Sequence, residues 1–221
     1  METKLNLISE IAKKEKKYKF NNLIYLLNVE NLTECFYQLK RDKAVGIDGV
    51  SLEDYELNLE RNLETLVSRM KTFSYRPQAV RRVYIPKSNG KSRPLGIPSV
   101  EDKIVQMAIA RILTAIYEHD FLDCSFGFRP GLGCHDALNR VDKIIMQHPI
   151  NHVIDADIKG FFDNVNQEWL LKFLGERISD KSLLRYIVRF LKAGVMEDGK
   201  QFATDKGTPQ GGIISPILAN I

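Results

Sequence analysis

NHVIDADIKGFFDNV, residues Asn151 to Val165, is the stretch on which the rest of the chain is organised. Its apolar Ile154, Ala156 and Ile158 alternate with Val153, Asp155 and Asp157, and this period of two predicts a short buried strand with both acids on one face. A carboxylate in an apolar setting is costly, so each acid must be paired, protonated or metal-bound. The residues alone leave two readings open: an Asp satisfied by the backbone amides of the turn that follows, or an Asp that holds a metal ion.

At 221 residues and 44% hydrophobic, the chain can bury one core or one and a half, and its composition is that of a globular protein. No apolar run approaches a membrane span, and METKLNLISEIAKKEKK lacks the apolar core of a secretion signal. The expectation is an intracellular, cytoplasmic protein with no membrane partner. Cys35, Cys124 and Cys134 are odd in number and widely spaced, which suits reduced thiols filling the core. Net charge is only +4, but it is unevenly placed.

Ala12 to Lys19 holds five lysines, Lys13, Lys14, Lys16, Lys17 and Lys19, against one acid, Glu15. Such a run suits a solvated helix face or contact with phosphates. Asn31 is expected to cap a helix carrying Leu32, Phe36 and Leu39. Ser51, after the tight GIDGV loop, is expected to cap a longer helix with Leu59, Leu63, Leu66, Val67 and Met70 on one side, ending near Ser74.

From Lys71 to Val100 there are seven basic residues and no acid. Within that stretch, Val80 to Pro86 and Ser92 to Ile97 read as strands around Ser88-Asn89-Gly90-Lys91, and Asn-Gly is a strong hairpin-turn signal. Lys87 and Arg93 then flank the tip, a placement suited to gripping polyphosphate. Arg81 and Arg82 add to the basic stretch.

Ser99 is expected to cap a helix with Ile104, Val105, Ala108, Ile109, Ile112, Leu113 and Ile116 on its stripe. After FGFRPGLG, residues 126–133, comes a helix with Ala137, Leu138, Val141, Ile144 and Ile145 that ends before Pro149. Gly131-Leu-Gly133 is not a dinucleotide fingerprint, because Asp136 stands where a third glycine belongs and no strand precedes it. Asn166 and Asp180 are expected to cap two further helices, the second closing at Gly194, and Asp198-Gly199 to turn a small hairpin. The glycine-rich GTPQGG, residues 207–212, lets backbone approach a ligand closely, and Gln210 offers an amide. Beyond Pro216 an apolar helix begins and stops at Ile221 without a cap, which we read as a truncation point.

RRVYIPKSNGKSRPLGIP, FGFRPG, DADIKGFFDNV and GTPQGGIISPILANI, in that order, closely resemble the reverse transcriptases encoded by group II introns. The GIDGV loop resembles their additional N-terminal block. The resemblance runs from about Lys43 to the last residue. It implies an α+β fold of the right-hand polymerase type, helix-rich with short antiparallel hairpins and a palm strand. Residues 1–150 would be N-terminal extension and fingers, and 151–221 the start of the palm with a returning fingers segment.

Carried over by motif, Asp157 resembles the first catalytic, metal-binding aspartate, with the Ile158 carbonyl as a further metal contact, while Asp155 is left a structural role. Phe162 stands where the family places an aromatic ring against the sugar of the incoming nucleotide. Lys87 and Arg93 match residues that hold its triphosphate, and Gln210 with Gly211 line the same pocket. The resemblance further implies two Mg²⁺ ions, deoxynucleoside triphosphates, an RNA template with a DNA primer, and the host intron RNA, which the Lys13–Lys19 lysines with Arg81 and Arg82 are expected to contact; a homodimer is compatible with it. The family's Tyr-x-Asp-Asp block and thumb would follow Ile221, so this stretch alone is expected to bind RNA without polymerising. A splicing cofactor whose polymerase activity has lapsed is the alternative. A retron-type enzyme is a further one, against which GIDGV and Gly-Gly-Ile-Ile-Ser-Pro argue.

Overall fold

The computed structural model describes residues 2–86, 90, 92–208 and 211–221. The chain begins with α1 (Glu2–Lys14), which buries Leu5, Ile8 and Ala12 along one side. In α2 (Val29–Tyr37) the cap is Asn28, whose side chain accepts from Asn31 N at 3.0 Å. The Asn31 expected as the cap is buried instead, donating its amide to Leu26 O at 2.7 Å. Ser51 and Asp54 do form a reciprocal capping box. The helix they start is short, however, because the chain leaves helical geometry at Asn58 (φ −132°, ψ 37°), dividing the expected single helix into α3 (Leu52–Glu56) and α4 (Leu59–Lys71).

The two strands of the basic hairpin form as their pattern predicts, while Asn89 of the expected Asn-Gly turn lies outside the described residues. β1 (Val80–Pro86) pairs antiparallel with β2 (Ser92–Ile97) from Arg81↔Ile97 to Pro86↔Ser92. Ser99 then caps α5 (Val100–Tyr117) by accepting from Asp102 N at 3.2 Å. This helix is buried round most of its circumference, and α1, α2 and the last helix pack on it. The GIDGV loop sits against its start: a Cβ at Gly46 would lie 2.6 Å from Ser99 Cα, and Lys103 Nζ reaches Ala44 O at 2.9 Å.

After α6 (Cys134–Gln147) and the single turn α7 (Phe161–Asn164) come α8 (Gln167–Arg177) and α9 (Lys181–Leu191), capped by Asn166 and Asp180 as expected. The Asp180 carboxylate does double duty. One oxygen accepts from Ser182 N and Leu183 N, and the other from Leu23 N and Ile24 N at 2.5 and 2.8 Å, tying α9 to the segment ahead of α2. Arg177 donates to Lys16 O and to Ala12 O, and Tyr117 OH to Leu174 O at 2.8 Å, so α8 is fastened to α1 and α5. β3 (Val195–Glu197) and β4 (Lys200–Phe202) form the second hairpin, with Asp198 (φ 48°) and Gly199 (φ 74°) supplying the two positive-φ residues of a tight turn. β3 also pairs parallel with β1, giving one sheet in the order β2-β1-β3-β4.

The α+β, helix-rich character with two hairpins holds, but the palm strand does not form: residues 151–158 have no regular structure and every residue from 151 to 160 is exposed. A strand needs a neighbour to take its ladder hydrogen bonds, and none of the four strands lies beside this one. The amphipathic stripe of α6 is likewise exposed, including Leu138 and Val141. Cys124 and Cys134 are exposed as well, so only Cys35 fills the core. The apolar start beyond Pro216 forms the final helix, α10 (Ser215–Asn220), and it is docked on the core. Ile217 and Leu218 are buried, and Ile214 N donates to Gln106 Oε1 of α5 at 3.4 Å.

At the start of α5, Asp102 is buried and accepts from Tyr75 OH and, at 3.0 Å, from Gln78 N. Burial outweighs these hydrogen bonds and pushes its carboxyl from 3.8 up to about 6. The folded chain therefore holds a proton that the unfolded chain releases. The stabilisation from this group is complete below pH 3.8 and is lost as pH rises through about 6. The loss is about 3 kcal/mol at ~1.4 kcal/mol per pH unit. Urea unfolding midpoints between pH 4 and 7 should fall with this slope in the wild type and lose it in Asp102→Asn; an unchanged slope in the variant would assign it to another group.

Candidate functional site

Three blocks far apart in sequence meet at the loop that follows β4. Gly207 N donates to Val165 O at 2.8 Å and Thr208 N to Phe162 O at 2.7 Å. Gly207 has φ 78°, and a Cβ there would lie 2.6 Å from Phe162 O and 2.8 Å from Asp163 O. Gly211, at φ 104°, faces the other way: its Cβ would lie 2.5 Å from Gly96 O and 2.8 Å from Leu95 Cδ1. Only glycine combines that backbone conformation with that approach. The loop thus joins the Phe161–Asn164 turn to the β2 edge of the basic hairpin.

Arg93 pairs with Ile85 and, being two residues from Leu95, shares its face of the sheet, the side on which Gly211 packs; it is exposed. Phe162 is half-buried and meets Phe161 edge-on, with ring centroids 5.8 Å apart. Lys87 and Gln210 lie outside the described residues. Asp157 and Ile158 are exposed, on the irregular segment just ahead of the Phe161–Asn164 turn. Gly160, at φ 62°, starts that turn, and Asn164 Nδ2 closes it by donating to Gly160 O at 2.9 Å. Among the described residues no three His, Cys, Asp or Glu side chains gather into a cation-binding set. What Asp157 offers is one exposed carboxylate, a hard oxygen donor of the kind Mg²⁺ takes.

Side chains alternate along β1, so Arg81 and Arg82 point to opposite faces. Arg81 donates through Nε and Nη2 to Val45 O at 3.0 and 2.7 Å, which fixes the GIDGV loop on the hairpin. Arg82 lines a cavity of about 610 Å³ on the other face, floored by Val80 and Val195 and bordered by Asp163, Lys206 and Thr208. Arg82 Nε and Thr208 Oγ1 are buried without hydrogen-bond partners among the described residues. The N-terminal lysines divide as well. Lys16 bonds to His119 O and Asp120, Lys19 to Gly175 O at 2.9 Å, and Lys14 pairs with Glu10 one turn back, while Lys13 and Lys17 are exposed.

The sequence marked GTPQGG as a loop of close approach but assigned no separate role to Gly207 and Thr208, whose contacts with the Phe162 block are made across the fold. It gave no role to Arg129 of FGFRPG either. That guanidinium is clamped by Glu118 at 2.8 and 2.9 Å and by the carbonyls of Leu122 and Ser125, and so shapes its own loop.

The family model for reverse transcriptase (RNA-dependent DNA polymerase) matches residues 85–221. The chain is 38% identical over 198 residues to the group II intron-encoded protein LtrA of Lactococcus lactis subsp. cremoris, covering 89% of this chain and 33% of LtrA. It is 40% identical over 179 residues to YkfC of Escherichia coli K12, covering 80% and 47%. It is also 35% identical over 183 residues to the putative COX1/OXI3 intron 2 protein of Saccharomyces cerevisiae, covering 82% and 20%. The chain therefore spans about a third of the length of LtrA. Among solved structures, a chain of a partial Cas6-RT-Cas1–Cas2 complex superposes with a TM-score of 0.55 at 20% identity over 91% of this chain and 33% of that one, a likeness of fold. No helix among the described residues is long and apolar enough to cross a membrane.

Gly211→Ala should disrupt the junction between loop and hairpin, since strained backbone and overlap with Gly96 O each cost about 1–3 kcal/mol. Limited proteolysis should cut residues 203–212 faster in the variant than in the wild type. Equal cleavage would show that the loop docks without that contact.

Proposed function

This chain belongs to the reverse transcriptase family, and on that premise we propose that it forms the nucleotide-binding part of an RNA-directed DNA polymerase encoded by a group II intron, a protein that also binds its intron RNA and assists splicing. The observation that carries this is the junction just described, where the GTPQGG loop is wedged between the turn bearing Phe162 and the hairpin strand bearing Arg93. In this reading residues 1–150 supply the N-terminal extension and fingers, and 151–221 begin the palm while returning β3 and β4 to the fingers sheet.

Polymerisation needs little covalent chemistry from protein groups; it needs a primer hydroxyl, an α-phosphorus and a leaving pyrophosphate held in line. Arg93, exposed on β2, and Lys87 neutralise the triphosphate of a deoxynucleotide, the Arg by a fork of donors and the Lys as a point charge. Gln210 and Gly211 bound the same nucleotide from the loop, and the ring of Phe162 crowds the position of a ribose 2′-hydroxyl. Reverse transcriptases generally use Mg²⁺, which when bound polarises phosphate oxygens; Asp157, with the Ile158 carbonyl, is the ligand this stretch contributes. The substrates are an RNA template with a DNA primer. Lys13, Lys14, Lys16, Lys17, Lys19, Arg81 and Arg82 stand as the basic contacts to RNA, with Arg81, Lys16 and Lys19 also serving the fold.

In primer extension by the full-length protein, Arg93→Ala should raise the apparent KM for deoxynucleotides and lower kcat, while RNA affinity stays within about twofold, because an interaction strongest in the transition state is removed. Parallel loss of RNA affinity would move Arg93 from nucleotide to RNA. Phe162→Ala should raise the ratio of ribonucleotide to deoxynucleotide incorporation. A uniform fall in both would make Phe162 a packing residue only.

A further inference from the structure

α9 carries no acid from Lys181 to Leu191, and its basic residues Lys181, Arg185 and Arg189 recur every four positions along one side. The loop after α4 lies against this helix. Arg189 donates to Tyr75 O at 2.6 Å and to Phe73 O at 2.9 Å, fixing that loop. Arg185 rests over the Phe73 ring at 4.4 Å, Phe73 stacks on Tyr186 with centroids 6.2 Å apart, and Arg189 lies 5.1 Å from the Tyr186 ring. Two guanidinium groups therefore bracket a pair of aromatic rings.

Arg76 is exposed at the end of this loop. Burial, and then the charges of Arg76 and Arg185, hold the Arg189 guanidinium below its ordinary value. Among the described residues none of these three arginines has an ion-pair partner, and Asp180, the nearest acid in sequence to α9, is buried and committed to four backbone amides. Like charges gathered without acids are costly unless a polyanion occupies the face.

The same Phe73 lines a groove of about 440 Å³ with Tyr25, Asn28, Lys71 and Met70. Its φ of 56° is an uncommon backbone state for a bulky residue, held by Phe73 N donating to Met70 O at 3.0 Å and by the pair of Arg189 bonds. Tyr25 is exposed, with Lys4 Nζ 5.0 Å from its ring centroid. An aromatic-walled groove with Lys71 in its lining, Lys4 over Tyr25 and Arg185 over Phe73 has the two parts that a single strand of nucleic acid needs, faces for bases and cations for its backbone.

We infer that this face, on Tyr25, Lys71, Phe73, Arg76 and Arg185, binds single-stranded RNA, with phosphates on the arginines and a base stacked in the groove. It lies outside the hairpin and loop that form the proposed nucleotide site, and it adds a second contact to the N-terminal lysines. The inference rests on the reading that the protein binds RNA.

The test is fluorescence anisotropy of a labelled 20-nucleotide single-stranded RNA with the full-length protein across a potassium chloride series. Arg76→Ala/Arg185→Ala should weaken binding about tenfold and flatten the slope of log affinity against log salt by about 1.4, two contacts at ~0.7 each. Tyr25→Ala should weaken binding about fivefold with the slope unchanged, as expected for lost stacking. Arg76→Lys/Arg185→Lys keeps the charge and should keep the slope, and Lys40→Ala/Arg61→Ala, an equal loss of charge elsewhere, should bind as wild type. Wild-type affinity and slope in the double alanine variant would overturn this surface while leaving RNA binding intact; failure of the wild type to bind RNA would remove the underlying reading too. Equal binding of a DNA duplex, with the same dependence on Tyr25, would overturn the single-strand assignment.

Discussion

Burial of α5 is the constraint on which the other elements depend. A helix apolar round most of its circumference cannot face water and must be surrounded. Here α1, α2 and α10 all pack on it. Its few polar residues are then used as fasteners rather than left as liabilities. Asp102 gathers Tyr75 and Gln78 and so sets the path into the hairpin. Lys103 holds Ala44, Gln106 meets Ile214, and Tyr117 reaches Leu174. Each of these bonds is buried or half-buried, where an unmade partner costs more than in water. The site is tied to this helix, because β2 runs into its start and the segment after Gly211 leads into α10, which packs on it.

Outside that framework the chain from Cys134 to Ile158 behaves differently. α6 is amphipathic yet has no buried residue, and the acid-bearing segment after it is exposed throughout. The contrast with α5 is one of partners, since both have apolar stripes of helical period. Where a stripe meets other elements it is covered; where none is present it stays open. Asp155 and Asp157 consequently stand in water, where a carboxylate is stable without help.

Arginine shows how strongly surroundings decide a role. Arg81 and Arg82 are neighbours, yet one secures a loop carbonyl and the other borders a cavity, its Nε without a partner among the described residues. Arg129 and Arg177 are clamped by carbonyls and carboxylates, whereas Arg185 lies on an aromatic ring with no ion-pair partner among the described residues. A planar fork with five donors suits all of these uses. Composition therefore identifies a basic chain, and only packing divides its charge between holding the fold and meeting a ligand.

The sequence alone determined the features that are settled within a few residues. The β1–β2 strands, the Ser51, Ser99, Asn166 and Asp180 caps and the Asp198-Gly199 turn are all local matches of side chain to backbone, and each formed where its pattern stood. The ordered motifs also placed the chain in its family and put the Phe162, Arg93 and Gly211 blocks on the list to be brought together. Only the tertiary structure decided that Asn28 rather than Asn31 caps α2, that β3 joins β1 in a mixed sheet, and that residues 151–158 do not form a strand. It also decided that the loop glycines Gly207 and Gly211 touch different blocks and that Arg185 of α9 lies on Phe73, which lines a groove with Tyr25. The physical reason is the same in each case. A ladder, a close backbone approach or a guanidinium contact needs a partner distant in sequence, and periodicity along the chain carries no information about which partner arrives.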